Sequence, residues 1–209
     1  MSAQPELQRP PAAEDKRRQI MEGARKTFLA QGFDAASMGE IARAAGVSKG
    51  TLYVYFENKE QLFQAIVGEQ CQAQAKSVFD LDPNDRNVEA VLTRLGIAFV
   101  NFLCRPESAS PWRTVIAIAD RMPEIGKAFY ESGPLRGTAD LAAYFEAQNK
   151  AGVLAVEDCE IAAAQFLESC QATLFKPVIL NFGSPPTAKR IAHVVRIAVR
   201  TFLAAYRAR

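Results

Sequence analysis

Residues 37–62 read SMGEIARAAGVSKGTLYVYFENKEQL, and this stretch contains three helix starts in close succession. Ser37 and the glutamate three residues later form a capping box, in which each side chain satisfies a backbone donor at a helix start. Gly46 ends the helix that follows, and Ser48 is an N-cap for the next one. Asn58 then caps a further helix. The stretch therefore predicts two very short helices, separated by a glycine turn, ahead of a longer one.

One more helix is predicted before this stretch. Residues 1–13 contain three prolines and few apolar side chains, which is typical of a mobile arm. From Glu14 onward apolar residues recur at helical spacing as far as Gly32, a residue that suits a left-handed helix end. The sequence thus predicts a flexible arm over 1–13 and a small helix-turn-helix domain over 14–60.

The third of these helices has two different faces. Val47, Leu52 and Phe56 recur on one side and are expected to pack inward. The residues that project from the other side are basic, small or aromatic: Lys49, Gly50, Tyr53 and Val54. Such a set suits a helix laid in the major groove of DNA, where glycine allows close approach and lysine and tyrosine reach phosphates or base edges. An ordinary corner in a helical bundle is the alternative interpretation.

The two segments MGEIARAAGVSKG and TLYVYFENKEQLF resemble the DNA-binding domain of TetR-family transcriptional repressors, and the resemblance extends over residues 15 to about 65. It implies a dimeric repressor that binds operator DNA and is released by a small effector bound to a helical C-terminal domain. It also implies the DNA contacts: Ser48, Lys49, Gly50, Thr51 and Tyr53 on the recognition helix, Lys59 on a phosphate at the start of the fourth helix, and Ser37 on a phosphate at the start of the second. Ser37 and Ser48 in addition stand at helix N-termini, where free N–H groups favour a phosphate.

The remainder of the chain, residues 61–209, is helical in pattern and is interpreted as the ligand-binding and dimerisation domain. Predicted helices cover residues 58–79, 87–104, 110–120, 123–131, 135–150, 158–180 and 188–206. Prolines and glycines separate these segments, with Pro177 expected to bend or end the helix that contains it. The fold class is therefore all-α, with a small front domain and a larger bundle behind it.

An apolar effector cavity is expected among the helices of this bundle. Its candidate lining residues are Phe79, Phe99, Phe102, Trp112, Ile116, Met122, Phe129, Phe166 and Cys170, although residues of these types more often belong to plain core. Few ionisable residues lie among them, which favours a largely apolar ligand. The run of residues 111–135 also resembles the ligand domains of efflux-linked TetR-family members.

Two apolar stripes in the last long helices predict a four-helix dimer interface, although they could equally complete the subunit's own core. The first stripe comprises Ile161, Ala164, Leu167, Gln171 and Leu174. The second comprises Ile191, Val194, Val195, Ala198, Phe202 and Ala205.

Composition narrows the classes of function. The chain has 209 residues, 49% of them apolar and 23% charged, with a net charge of +2, and no run approaches a membrane span or a signal peptide. A cytoplasmic location is expected. The cysteines Cys71, Cys104, Cys159 and Cys170 lack metal-ligand spacing and are interpreted as buried thiols. No catalytic group, metal site or cofactor is predicted, so a helical-bundle enzyme is the weak alternative, and a DNA-binding regulator without an effector is the stronger one.

Overall fold

The computed structural model describes the backbone of residues 11–208, and their side chains except those of residues 11, 12, 70–77 and 107. All regular elements in this part of the chain are helices, as predicted, and one isolated antiparallel bridge joins Leu154 to Arg207. The chain divides into two compact units, of which the first ends at Val67 and the second begins at Gly68.

Four helices begin in the first unit. They are α1 (Pro11–Gln31), α2 (Met38–Ala44), α3 (Lys49–Tyr55) and α4 (Lys59–Val78), and the unit boundary falls inside α4. α1 starts earlier than predicted, because proline fits the first helical turn, where its missing N–H is no loss. The end of the predicted arm therefore belongs to a helix, and residues 1–10 lie outside the described part. Gly32 ends α1 with a φ of 79°, as its place in the sequence predicts.

The core of the first unit joins α1 to the two short helices. Its fully buried members include Ile20, Ile41, Leu52 and Leu62. Gly23 makes this packing possible, because a Cβ atom there would lie 2.6 Å from the backbone of Ala45 in the turn after α2. The rings of Phe28, Phe33 and Phe63 form a second cluster, with centroid separations of 5.2–5.6 Å.

The second unit contains seven further α-helices in its described part. They are α5 (Val88–Leu103), α6 (Pro106–Ile118), α7 (Pro123–Tyr130), α8 (Arg136–Lys150), α9 (Cys159–Gln171), α10 (Phe175–Ile179) and α11 (Ala188–Tyr206). The predicted bounds of α5 and α11 are confirmed to within one residue. α6 begins at Pro106 rather than Ser110, since proline again suits the first turn.

Two predicted helix boundaries are wrong. The helix expected over 158–180 is broken at Thr173, whose φ of 63° is left-handed and cannot continue α9, while Pro177 lies inside α10. Conversely, Gly133 and Pro134 do not separate α7 from α8. A π-helical turn, Glu131–Leu135, carries the chain through this point, and its wider ring accommodates a proline without a break.

The core of the second unit shows where the residues of the two apolar stripes are buried. The stacked rings of Phe145 and Phe202 lie 4.6 Å apart, and most of the α11 stripe is buried in the same cluster: Ile191, Val194, Val195, Ala198 and Phe202. Leu167 and Leu174 of the α9 stripe are buried there too. The stripes therefore complete the subunit's own core, and their assignment to a dimer interface is wrong for these seven residues. Ile161 and Ala205 remain exposed.

Candidate nucleic-acid interface

The first unit contains two short helices joined by a tight turn. The turn is made by Gly46 at a φ of 63°, and the N–H of Val47 donates to the carbonyl of Ala42 across it. Each helix has a serine N-cap, Ser37 for α2 and Ser48 for α3, whose hydroxyl accepts the backbone N–H three residues later. The predicted helix starts are confirmed, and α2 and α3 together have the form of a helix-turn-helix.

The two predicted faces of α3 are confirmed. Leu52 is fully buried in the first unit's core, and Phe56, which caps the helix, is buried beside it. On the opposite side Tyr53 is 52% exposed and Val54 is 82% exposed. Because the buried face fixes α3 in place, the exposed face presents large side chains to solvent on a rigid helix.

Lys49, Gly50 and Ser48 are likewise exposed at the start of α3, and Thr51 is half-buried. The hydroxyls of Ser48 and Thr51 lie 2.8 Å apart, so one donates to the other. The Ser48 oxygen also accepts the N–H of Thr51, so the pair forms a small polar group beside Gly50 whose remaining capacity lies mainly on the Thr51 hydroxyl. The recognition-helix residues inferred from the sequence thus lie together on one accessible surface.

Ser37 is engaged more fully than the sequence indicates. Its hydroxyl donates to the Glu40 carboxylate at 2.7 Å, and its own N–H donates to the same oxygen at 3.0 Å. These two hydrogen bonds lower the pKa of Glu40 from its ordinary value, so the carboxylate stays charged. An anionic carboxylate next to the hydroxyl opposes a phosphate there, and a cation is needed nearby if Ser37 is to contact one.

Lys59 is also engaged within the protein. Its ammonium donates to the carbonyl oxygens of Phe33, Asp34 and Ala36 at 3.0, 3.0 and 3.3 Å. The lysine thereby ties the start of α4 to the loop between α1 and α2. These acceptors lie more than twenty residues away in the chain and are backbone atoms, so sequence reasoning had no signal for them.

The residues predicted to line an effector cavity do not line one common cavity. Trp112 packs edge-on against Phe129 at 4.7 Å and against Phe175 at 5.5 Å. Phe166 and Cys170 belong to the main core, whereas Phe99, Phe102 and Met122 are half-buried. Ile116 is 61% exposed and therefore does not line the interior, because the helical face that carries it points to solvent.

A groove of about 340 Å³ opens at the end of α4 and beside α8. Phe79 is the one predicted lining residue that borders it. The groove is also lined by Asp80, Leu81, Pro83, Arg136, Asp140, Ala143 and Tyr144. Its mixed charges differ from the largely apolar cavity that the sequence predicts.

The cysteines show different degrees of burial. Cys170 is fully buried, and burial raises the pKa of its thiol to about 12, so it stays protonated and unreactive. Cys104 and Cys159 are half-buried, and the side chain of Cys71 lies outside the described residues.

Within the described part of the chain no group of histidine, cysteine and acidic side chains has the arrangement to hold a metal ion. No helix there is long and apolar enough to cross a bilayer.

A helix-turn-helix with an exposed second helix, followed by a larger helical unit, defines the class of DNA-binding regulators. Residues 20–66 match the model of bacterial regulatory proteins of the tetR family, and residues 90–208 match the C-terminal domain of AefR-like transcriptional repressors. The chain belongs to the TetR family of transcriptional regulators. Members of this family are regulators that bind operator DNA as dimers, and they are not enzymes.

Solved structures agree over nearly the whole chain. A TetR-family transcriptional regulator from Mesorhizobium loti MAFF303099 is 30% identical, with a TM-score of 0.87, over 95% of this chain and 100% of that chain. The flavonoid-responsive regulator FrrA is 30% identical, with a TM-score of 0.81, over 94% and 99% of the respective chains.

A curated relative matches over a shorter length. The transcriptional regulator SrpR of Pseudomonas putida is 32% identical over 99 residues, which is 46% of this chain and 43% of SrpR. The match thus spans less than half of that relative.

Proposed function

We propose that this chain is a cytoplasmic transcriptional repressor that binds operator DNA through the exposed face of α3. The observation that carries the proposal is the 52% and 82% exposure of Tyr53 and Val54 on a helix whose other side is locked into the core. An α-helix with such a face fits the major groove, where tyrosine reaches phosphates or thymine methyl groups. Gly50 lets the helix approach the bases, and Ser48 and Thr51 supply small hydrogen-bonding groups.

The proposed DNA contacts include both lysines named from the sequence. Lys49 is exposed and has no hydrogen bond or ion pair to any described residue, so its charge is available to DNA. The ammonium of Lys59 already donates to carbonyl oxygens of the loop before α2. If Lys59 also contacts a phosphate, its ammonium is shared between that phosphate and these carbonyls. Because the hydroxyl and the N–H of Ser37 both already donate to Glu40, a phosphate beside Ser37 is met by the backbone N–H groups of Met38 and Gly39 in the first turn of α2.

The proposal includes a homodimer formed by the second unit. Leu180 and Phe182, just after α10, are 76% and 77% exposed, and Ile161 and Ile197 are exposed on α9 and α11. These exposed apolar side chains are the candidates for burial between two subunits, where they would form one contiguous apolar surface. A two-fold dimer places two recognition helices about 34–36 Å apart, or one further turn, so the operator is a palindrome with matching half-site spacing.

The effector is proposed to be small, largely apolar and aromatic. Trp112, Phe129 and Phe175 pack as an aromatic cluster, and aromatic rings favour such edge-to-face neighbours, so an aromatic ligand would suit this part of the unit. The similar regulator FrrA is flavonoid-responsive, which supports this ligand class. The resemblance of residues 111–135 to efflux-linked regulators supports an exporter of such compounds among the regulated genes.

One titration tests repression and effector response together. The full chain is used to select an operator from a random duplex library, and a flavonoid is then titrated against the protein while Trp112, its single tryptophan, is excited. The predicted result is a saturable change of emission and a loss of operator affinity over the same concentrations, with a coupling of about 1–3 kcal/mol. Emission changes without any change in DNA affinity would favour the regulator without an effector.

A further inference from the structure

Gly39 occupies the first turn of α2, directly beside the side chain of Lys49 at the start of α3. A Cβ atom added at Gly39 would lie 3.0 Å from Cε and 3.3 Å from Nζ of Lys49. The lysine side chain therefore runs across the surface that any larger residue at position 39 would occupy. Gly50 contrasts with it, since a Cβ there would meet only the Ser48 hydroxyl, at 3.8 Å.

Backbone geometry does not account for this glycine. Gly39 lies within α2 and is absent from the positive-φ residues, so alanine would fit its conformation. Glycine is a poorer helix former than alanine, so it gains nothing for the helix itself. What glycine provides at this position is the space that Lys49 fills.

The position of the Lys49 ammonium determines which part of bound DNA it can contact. The Ser37 hydroxyl lies 3.9 Å from the same Cβ position, so Lys49 and Ser37 flank one point on the first turn of α2. Glu40, whose carboxylate holds Ser37, lies in that turn as well. The end of the Lys49 side chain therefore lies over the first turn of α2, where its ammonium is placed to meet a backbone phosphate of bound DNA.

We propose that Gly39 is a positioning residue, which seats Lys49 across α2 so that its ammonium binds a DNA phosphate and not a base edge. The proposal rests on the DNA-binding function proposed above and deepens it. Contacts with base edges are then made by the exposed side chains further along α3, Tyr53 and Val54.

The test compares Gly39→Ala, Lys49→Ala and the double variant on the selected operator over a range of salt concentrations. Gly39→Ala is expected to fold normally, because the new methyl group meets only the far end of a flexible side chain. It is expected to lower operator affinity severalfold and to reduce the slope of log K against log salt by up to one, as the lysine is displaced from its phosphate. Lys49→Ala is expected to do the same, and the double variant to be no weaker than Lys49→Ala alone.

Gly126→Ala is the matched control, since its Cβ would make an ordinary contact of 3.5 Å with Ala119 in the second unit. Operators with single base changes complete the test. Gly39→Ala and Lys49→Ala are each expected to weaken binding by the same factor on every operator, since a phosphate contact does not depend on the base. An unchanged affinity for Gly39→Ala, additive effects in the double variant, or a loss confined to one base pair would overturn the proposal while leaving DNA binding intact. A wild-type chain that bound no DNA would overturn both.

Discussion

The ammonium nitrogen of Lys59 lies 3.0 Å from the carbonyl oxygen of Phe33 and 4.8 Å from the centre of the Phe33 ring. The same side chain thus gains a charge-assisted hydrogen bond and a cation–π contact from one residue. Asp34 and Ala36 accept its other two donors. Lys59 is therefore a structural clamp on the loop that leads into α2, whatever it contributes to DNA binding.

Replacing Lys59 by methionine is expected to destabilise the first unit by about 1–3 kcal/mol, because three carbonyls lose a charged donor while the side-chain stem is kept. Urea unfolding monitored by circular dichroism measures it. Lys49→Met is the control, since Lys49 has no described hydrogen-bond partner, and its stability is expected to match the wild type. Equal stability of the two variants would show that the loop carbonyls do not depend on Lys59.

The capping box at the start of α2 is expected to make stability depend on pH. Hydrogen bonds from Ser37 lower the pKa of Glu40, so the folded state binds this proton less readily than the unfolded chain does. The stabilisation is fully present above the ordinary value of about 4.5 and is lost as the pH falls through the lower folded pKa. Denaturant titrations of wild type and Glu40→Gln are therefore expected to differ above that range and to converge below it.

Ser37→Ala provides the check on this interpretation, because it removes the hydroxyl donor that holds the carboxylate. With this variant as background, Glu40→Gln is expected to have a smaller effect, and the pH dependence is expected to shrink. A difference between wild type and Glu40→Gln that did not vary with pH would contradict the role given to the carboxylate charge.

Gly96 in α5 is expected to tolerate no side chain. A Cβ atom there would lie 2.8 Å from Val195 and 3.0 Å from the Cys170 sulfur, both in the packed core of the second unit. Gly96→Ala is therefore expected to lower the free energy of unfolding by about 1–3 kcal/mol, although alanine is the better helix former. Gly126→Ala in α7, with its nearest neighbour at 3.5 Å, is the control and is expected to keep or raise stability. Thermal unfolding that ranked the two variants in the opposite order would refute this packing.

The sequence predicts local structure well wherever a local signal exists. Capping serines, the Gly46 turn and the two faces of α3 were all predictable, because each depends on residues within a few positions of one another. The broken helix at Thr173 was not predictable, since threonine carries no signal for a left-handed conformation. The same holds for the α11 stripe: its spacing shows that one face is buried, but not whether the subunit's own core or a second subunit covers it.

The dimer proposed for the second unit is expected to depend on Phe182. Its ring is exposed in the single subunit, so Phe182→Ser should leave the fold intact. If the ring is buried between subunits, its loss is expected to weaken the dimer by roughly 1.5–3 kcal/mol. Light scattering over a dilution series measures this, with Ile116→Ser as the exposed control on α6. Dimers of equal strength in both variants would place the interface elsewhere.

The central claim is that the exposed face of α3 binds DNA. It is tested most directly by replacing one of two similarly exposed tyrosines with alanine at a time. Tyr53 and Tyr130 are 52% and 57% exposed, the first on α3 and the second on α7 of the other unit. Operator affinity is measured by fluorescence anisotropy for Tyr53→Ala and Tyr130→Ala at one fixed salt concentration, after both variants are shown to unfold at the wild-type temperature. The account predicts a loss of tenfold or more for Tyr53→Ala, about 1–3 kcal/mol, and no change for Tyr130→Ala. Equal affinities for the two variants would contradict it.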